Sequence, residues 1–210
     1  MPVRIVLADD HQIVRQGLRA LLVREGFQVL AEGANGTEAV KLAAELQPDV
    51  VILDLTMPLL NGLEAGRQIL RARPETRVVL LTMHAEEHQI AEALRIGIRA
   101  YILKTQAAED LVQAIRAVMS GQTYLSPGIS SLVVKGFLSC PQAPADRLAP
   151  RERQVLQLVA EGKTSKEIAA LMGLSVKTAE SYRARVMEKL EIHETAGLVR
   201  YAIRHGLVEP

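Results

Sequence analysis

Val50-Val51-Ile52-Leu53-Asp54 is a run of four apolar residues, three of them β-branched, closed by a carboxylate. So short and so continuously apolar a run reads as a strand covered on both faces, because a strand with one wet face would alternate. Outward from it, Val3–Ala8, Phe27–Glu32, Val78–Thr82 and Ala100–Lys104 repeat the pattern and give five strands in all. Between them Ile13/Leu18/Leu21/Leu22, Ala39/Leu42/Ala43, Leu63/Gly66/Ile69/Leu70 and Ile90/Ala93/Leu94 recur at helical spacing, and Leu111, Ala114, Ile115 and Val118 supply a further helix. Five β–α units in strict alternation require right-handed crossovers and a parallel sheet. Residues 3–119 are therefore an α/β domain.

From Ser120 to Asp146 the periodicity fades. Gly121, Ser126-Pro127-Gly128, Ser130-Ser131 and Cys140-Pro141-Gln142-Ala143-Pro144 are breaker-rich, marking a linker with a short helix near Leu132–Leu138. Beyond it the pattern is purely helical: Val155/Leu158/Val159, Ile168/Ala169/Met172, Ala179/Tyr182/Val186/Leu190 and Leu198/Val199/Ala202/Ile203. The expected organisation is residues 1–120, a linker over 121–146, and an all-α domain of four helices over 147–210.

Composition narrows the function. With 49% apolar and 23% charged residues, the 210-residue chain can bury a sizeable core. Aromatics are only 3% with no Trp, which argues against single-strand binders built on aromatic stacking. Cys140 alone excludes an internal disulfide or a Cys-pair zinc site, and reads as a bystander. No apolar run approaches the roughly 20 residues of a membrane span, so a cytoplasmic protein without membrane contact is expected. Residues 1–120 carry 13 Lys/Arg against 15 Asp/Glu, and residues 146–210 carry 11 against 9. So mild an asymmetry leaves any nucleic-acid reading to the placement of the charges.

The polar residues of the α/β domain fall where periodicity alone would not put them. Asp9 and Asp10 end strand one, Asp54 strand three, Thr82 strand four and Lys104 strand five. The carboxyl ends of parallel strands share one edge, where ligands bind at the topological switch point. Three carboxylates crowded there repel one another unless a cation joins them, and a hard divalent ion with oxygen ligands, Mg²⁺ by preference, resolves the conflict. Lys104 adds an ammonium suited to a phosphoryl oxygen and Thr82 a hydroxyl donor. Together they suggest phosphoryl transfer onto a carboxylate, with Asp54 the candidate nucleophile. Singly, a strand-end Asp is a turn residue and a Lys a solvated surface group; the coincidence is what points to function.

Asp9-Asp10, Asp54-Leu55-Thr56-Met57-Pro58 with Gly62, Thr82, Tyr101 and Lys104 resemble the receiver domain of bacterial two-component response regulators over residues 3–119. The resemblance implies a flavodoxin-like, doubly wound five-stranded parallel sheet of order 2-1-3-4-5. It implies phosphorylation at Asp54 by a sensor histidine kinase, with self-catalysed phosphorylation and dephosphorylation as the only enzymatic character. It implies Mg²⁺ held by Asp10, Asp54 and the Thr56 backbone carbonyl with Asp9 supporting through water, and it casts Thr82 and Tyr101 as the switch pair. Thr105 departs from the Pro that follows the Lys in many receivers, so a cis peptide is not expected there.

In the helical domain, Pro150 suits the first position of a helix running to Glu161, with Gly162 as its stop. Thr164-Ser165-Lys166-Glu167 has the form of a capping box and opens a helix through Leu171. Gly173-Leu174 turns the chain, and Ser175 caps a helix to about Leu190. Two helices joined by a tight glycine turn have the helix-turn-helix shape, whose second helix enters the major groove. On that helix Ala179, Tyr182, Val186 and Leu190 face inward, while Lys177, Ser181, Ala184, Arg185 and Glu188 face out with Thr178 and Glu180 at the flanks. An ordinary solvated face looks the same.

The strings Leu148–Leu156, Gly162–Ala169 and Ser175–Ser181 resemble the LuxR-type DNA-binding domain, and with the receiver they give the architecture of NarL/FixJ-family response regulators over nearly the whole chain. Ala149 stands where a capping Thr is usual, Ser165 for Asn, Ala179 for Val and Tyr182 for His. The missing cap should cost roughly 0.5–2 kcal/mol of local helix stability. The expected protein is a transcription regulator that binds paired half-sites of double-stranded DNA, forms a homodimer on phosphorylation, and uses Lys166, Lys177, Thr178, Ser181 and Arg185 at the DNA. The rival is a haloacid-dehalogenase-type phosphohydrolase, which also uses an Asp nucleophile and Mg²⁺. It wants a second Asp where Thr56 stands and leaves residues 146–210 unexplained. A degenerate receiver that signals without phosphorylation is disfavoured by the complete pocket.

Overall fold

The computed structural model describes residues 2–83, 86–130 and 148–208, without the side chains at 88 and 109. The chain forms two compact units. In the first, strands β1 (Arg4–Ala8), β2 (Gln28–Gly33), β3 (Val50–Asp54), β4 (Arg77–Thr82) and β5 (Ala100–Leu103) alternate with helices α1 (Gln12–Arg24), α2 (Gly36–Leu46), α3 (Gly62–Ala72), α4 (Glu87–Arg95) and α5 (Ala107–Met119). A sixth strand, β6 (Tyr124–Leu125), follows α5. All pairings are parallel, in the order β2-β1-β3-β4-β5-β6.

The order expected for the first five strands holds. The sheet has six strands rather than five, and the chain expected to be linker from 121 first adds β6, with Tyr101 paired to Leu125. A two-residue strand between Thr123 and Ser126-Pro127 is too short to carry periodicity, so composition alone could not separate it from a loop. Lys104 lies just past β5, in a 3₁₀ turn over Lys104–Gln106. The short helix near Leu132–Leu138 and Cys140 lie outside the described residues.

Every residue of β3 is buried, as its continuous apolar run requires. Ile5, Leu7, Val50, Ile52, Val79, Leu81 and Ile102 form one sheet face and pack with Leu18 and Leu22 of α1 and Leu111, Ile115 and Val118 of α5. The intervening Val6, Val51, Leu53, Val78 and Leu80 are equally buried on the other face. Each large aliphatic side chain so buried contributes roughly 1.5–3 kcal/mol. Asn35 and Asn61 cap α2 and α3, their carboxamide oxygens each accepting the N–H three residues on at 2.9 Å.

Among the described residues the second unit has four helices, α6 (Pro150–Ala160), α7 (Ser165–Met172), α8 (Val176–Leu190) and α9 (Thr195–Arg204). Their core is Leu148, Val155, Leu156, Ile168, Ala169, Met172, Ala179, Val186, Leu198 and Ala202 with their neighbours. The α7–α8 turn is closed by Gly173 at φ +65°, a left-handed conformation that suits glycine, while Leu174 donates back to the Ala169 carbonyl at 2.8 Å. Ser175 then caps α8 by accepting from Thr178 at 3.1 Å.

Candidate functional site

The site lies at the carboxyl edge of the sheet. The Asp9 N–H donates to the Gly33 carbonyl at 3.2 Å, and the Arg15 guanidinium grips the Asp9 carbonyl at 2.6 Å. Asp54 ends β3, and its backbone is fitted against Gly62, where a Cβ would lie 2.1 Å from the Asp54 carbonyl oxygen. Any side chain at position 62 would therefore force the Asp54–Leu55 backbone to shift.

The Lys104 ammonium lies 2.8 Å from Asp9 and 2.9 Å from Asp54, so it joins two carboxylates that are both almost fully buried. Asp10 is more exposed, and ligand atoms of Asp9, Asp10, His11 and Asp54 lie within 4.8 Å of one another. Burial pushes the Asp54 carboxyl up to about 7, with Lys104 opposing and Asp9 and Asp10 reinforcing. Burial also disfavours the Lys104 charge, but Asp54 and Asp9 outweigh it and hold the ammonium above its ordinary range. Hard oxygen donors with too little positive charge among them are the chemistry that suits a small divalent cation.

Thr82 is buried at the end of β4. The Tyr101 ring is buried on β5 with its hydroxyl beside Thr82, and burial drives its pKa above the usual phenol range while Thr82 pulls it back. Thr56 lies partly buried two residues beyond Asp54. The structure thus brings Asp9, Asp10, Asp54 and Lys104 together and sets Thr82 beside Tyr101. His11 and Arg15 escaped the sequence reading. His11 accompanies the pocket at 2.8 Å from Asp10, and only its adjacency to the Asp pair could have flagged it.

On the helical unit, Lys166, Lys177, Thr178, Ser181 and Arg185 are all exposed, as expected, and Ala179 and Val186 are buried. Tyr182 is half-buried with the Arg185 guanidinium 5.8 Å from its ring centre. The Ser181 hydroxyl donates to the Lys177 carbonyl at 3.0 Å, and that of Thr178 lies 2.8 Å from Ser175.

The family described as "Response regulator receiver domain" matches residues 5–116, and that described as "Bacterial regulatory proteins, luxR family" matches residues 146–202. The chain belongs to the two-component response regulators. Response regulator GacA of Pseudomonas aeruginosa is 39% identical to the regulator, covering 99% of it and 98% of GacA. Response regulator UvrY of Escherichia coli is 36% identical, covering 98% and 95%. Among solved structures, RcsB of Salmonella enterica serovar Typhimurium, bound to promoter P1flhDC in the presence of the phosphomimetic BeF3−, is 30% identical over 96% of the regulator and 98% of that chain, with a TM-score of 0.65. The regulator carries a LuxR-type DNA-binding domain and is a transcriptional regulator of a two-component system, a class of switches rather than of enzymes. The match over 146–202 also accounts for the segment that the phosphohydrolase reading leaves unexplained. No helix among the described residues is long and apolar enough to cross a membrane.

Proposed function

We propose that Asp54 is the phosphoacceptor and that a sensor histidine kinase is the donor. An Asp54 carboxylate oxygen bonds to phosphorus as the donor's phosphorus–nitrogen bond breaks, and the departing imidazole nitrogen keeps the electron pair and takes up a proton from solvent. The observation that carries this reading is the buried Asp54 carboxylate, 2.9 Å from Lys104 and crowded by Asp9 and Asp10. Lys104 pairs with a phosphoryl oxygen, and Thr82 donates its hydroxyl to another. Asp10, Asp54 and the Thr56 backbone carbonyl are the residues to hold Mg²⁺, with Asp9 supporting through water. When bound, the ion offsets the charge of the carboxylates and of the phosphoryl oxygens. The same pocket catalyses its own phosphorylation from small donors and its own dephosphorylation.

Thr82 reaches a phosphoryl oxygen only by moving toward it, which frees space beside the buried Tyr101 ring and lets that ring change position. The receiver runs from residue 1 through β6, and residues 147–210 are the DNA-binding domain, in a cytoplasmic protein. With 11 Lys/Arg against 9 Asp/Glu over 146–210, one copy neutralises few phosphates. A phosphorylation-promoted homodimer on paired half-sites of double-stranded DNA doubles the contacts and raises avidity by roughly 10²–10⁴. Lys166, Lys177, Thr178, Ser181 and Arg185 supply contacts.

A Phos-tag gel of the full chain with acetyl phosphate and Mg²⁺ tests the reading. A shifted band in the wild type that Asp54→Ala lacks is expected, and a shift in both would overturn it.

A further inference from the structure

Ser126 is the first residue past β6, and its backbone and hydroxyl are tied to β5 and α5. Its N–H donates to the Tyr101 carbonyl at 3.1 Å, and its own carbonyl accepts from Ile129 at 2.8 Å. The Leu103 N–H donates to the Ser126 hydroxyl oxygen at 3.3 Å, and that hydroxyl donates in turn to Asp110. Asp110, on α5, also accepts from the Tyr124 hydroxyl at 2.8 Å. Ser126 is fully buried and Asp110 nearly so. The donors run in one direction, from a backbone amide through a hydroxyl to a carboxylate, so each bond polarises the next.

The position of this relay gives it a consequence for the pocket. β6 pairs with β5 only as far as Tyr101, so the Leu103 N–H has passed the end of the ladder. The Ser126 hydroxyl takes the place that a strand carbonyl would fill. Ser126 thereby fixes the Tyr101 carbonyl and the Leu103 amide, the backbone on either side of Ile102. Leu103 is the last residue of β5, and the next, Lys104, reaches Asp9 and Asp54.

We infer that Ser126, backed by Asp110, is a positioning residue for phosphoryl transfer, holding the end of β5 so that Lys104 is presented to Asp54 and the incoming phosphoryl group. The inference rests on the reading of Asp54 as phosphoacceptor. A merely structural role, pinning β6 to α5, would belong equally to Tyr124, which bonds the same carboxylate but makes no side-chain bond to Leu103. That difference makes Tyr124→Phe the control.

The full chain is compared as wild type, Ser126→Ala and Tyr124→Phe, with acetyl phosphate and Mg²⁺ as probe. In this reaction the Asp54 oxygen–phosphorus bond forms as the phosphorus–oxygen bond to acetate breaks, and acetate leaves as the anion. The readouts are the labelling rate at saturating donor and the hydrogen exchange of the Leu103 amide relative to Ile102. Ser126→Ala is expected to slow labelling about tenfold and to speed Leu103 exchange about tenfold. Tyr124→Phe is expected to stay within about twofold of wild type in labelling. If Ser126→Ala does not fold, Asp110→Asn, which keeps the shape and one acceptor oxygen, must show the same selective slowing on a smaller scale. Unchanged labelling in the serine variant, or equal losses in the serine and tyrosine variants, overturns the inference. Absence of labelling in the wild type itself overturns the phosphoacceptor reading and the inference with it, an outcome distinct from labelling that is indifferent to Ser126.

Discussion

Replacing Ala149 by Thr should stabilise the helical domain, because α6 carries half of a reciprocal cap whose other half is missing. Ala149 is the N-cap at φ −66° and ψ 157°, and it offers no side-chain acceptor. The returning half is present: Glu152 accepts the Ala149 N–H at 2.7 Å and is paired with Lys189 at 2.6 Å. The start of α7 shows the complete arrangement on nearly the same backbone, with Thr164 at φ −73° and ψ 158°. There Thr164 accepts from the Glu167 N–H at 3.3 Å, and Glu167 accepts from the Thr164 N–H at 2.8 Å. Ala149 is exposed, so a threonine meets no packing obstacle and places its hydroxyl toward the Glu152 N–H. The gain should be about 1 kcal/mol within a range of about 0.5–2, and Thr164→Ala should lose a similar amount. Denaturant-dependent amide exchange across α6 to α9 in the full chain reads the helical domain separately from the sheet. If Ala149→Thr leaves exchange unchanged while Thr164→Ala accelerates it, the matching of the two caps is wrong and the Glu152–Lys189 pair already satisfies the end of α6.

Three further outcomes follow from the sites. Asp54, raised to about 7 in the fold against 3.8 for the ordinary carboxyl, contributes stability that is complete below pH 3.8 and lost as the pH rises through 7. Without divalent cations, Asp54→Asn should therefore flatten the fall of the urea midpoint between about pH 4 and 7 and be the more stable protein at pH 8, by at most about 4 kcal/mol; parallel pH profiles would discard the buried-charge argument. Thr82→Ala should keep Asp54 labelling nearly intact while reducing the phosphorylation-dependent gain in DNA binding, and full retention of the gain in gel shifts would make Thr82 a structural hydroxyl. Lys166→Ala should weaken all DNA sequences about equally, whereas Lys177→Ala or Ser181→Ala should alter preference among sites, measured on single, paired and scrambled half-sites at two salt concentrations.

The parts of the fold that were legible in the sequence are those in which local pattern and tertiary burial agree. β3 is readable because both its faces are covered, so Val50 to Leu53 leave no alternation to interpret. Alternation fixes only that the sheet is parallel; the place of β3 between β1 and β4 is what the receiver resemblance implies. β6 was not legible, because Tyr124 and Leu125 owe their extended state to the β5 edge and to Asp110, contacts that span 14 residues in sequence at Tyr124 and leave no local signature. The helical domain was legible at its capped ends, and Thr164, Gly173 and Ser175 do what their residue types advertise. Glu152 was harder to read. A carboxylate in the first turn looks like an ordinary helix-dipole residue, and only the fold reveals it buried against Lys189.

The pocket was legible for a different reason: its residues contradict their surroundings. An apolar strand that ends in a carboxylate with almost no exposure is a local choice at odds with burial, and such conflicts in a stable fold mark function. The structure adds the magnitude. One ammonium shared between Asp9 and Asp54 does not hold both as comfortable anions, as the upward displacement of Asp54 records. Ionising Asp54 therefore costs the fold more than ionising a solvated carboxyl would. Positive charge brought to the carboxyl edge would offset that cost, and under the phosphoacceptor reading the same interaction would raise the fraction of Asp54 in the ionised form that can attack phosphorus.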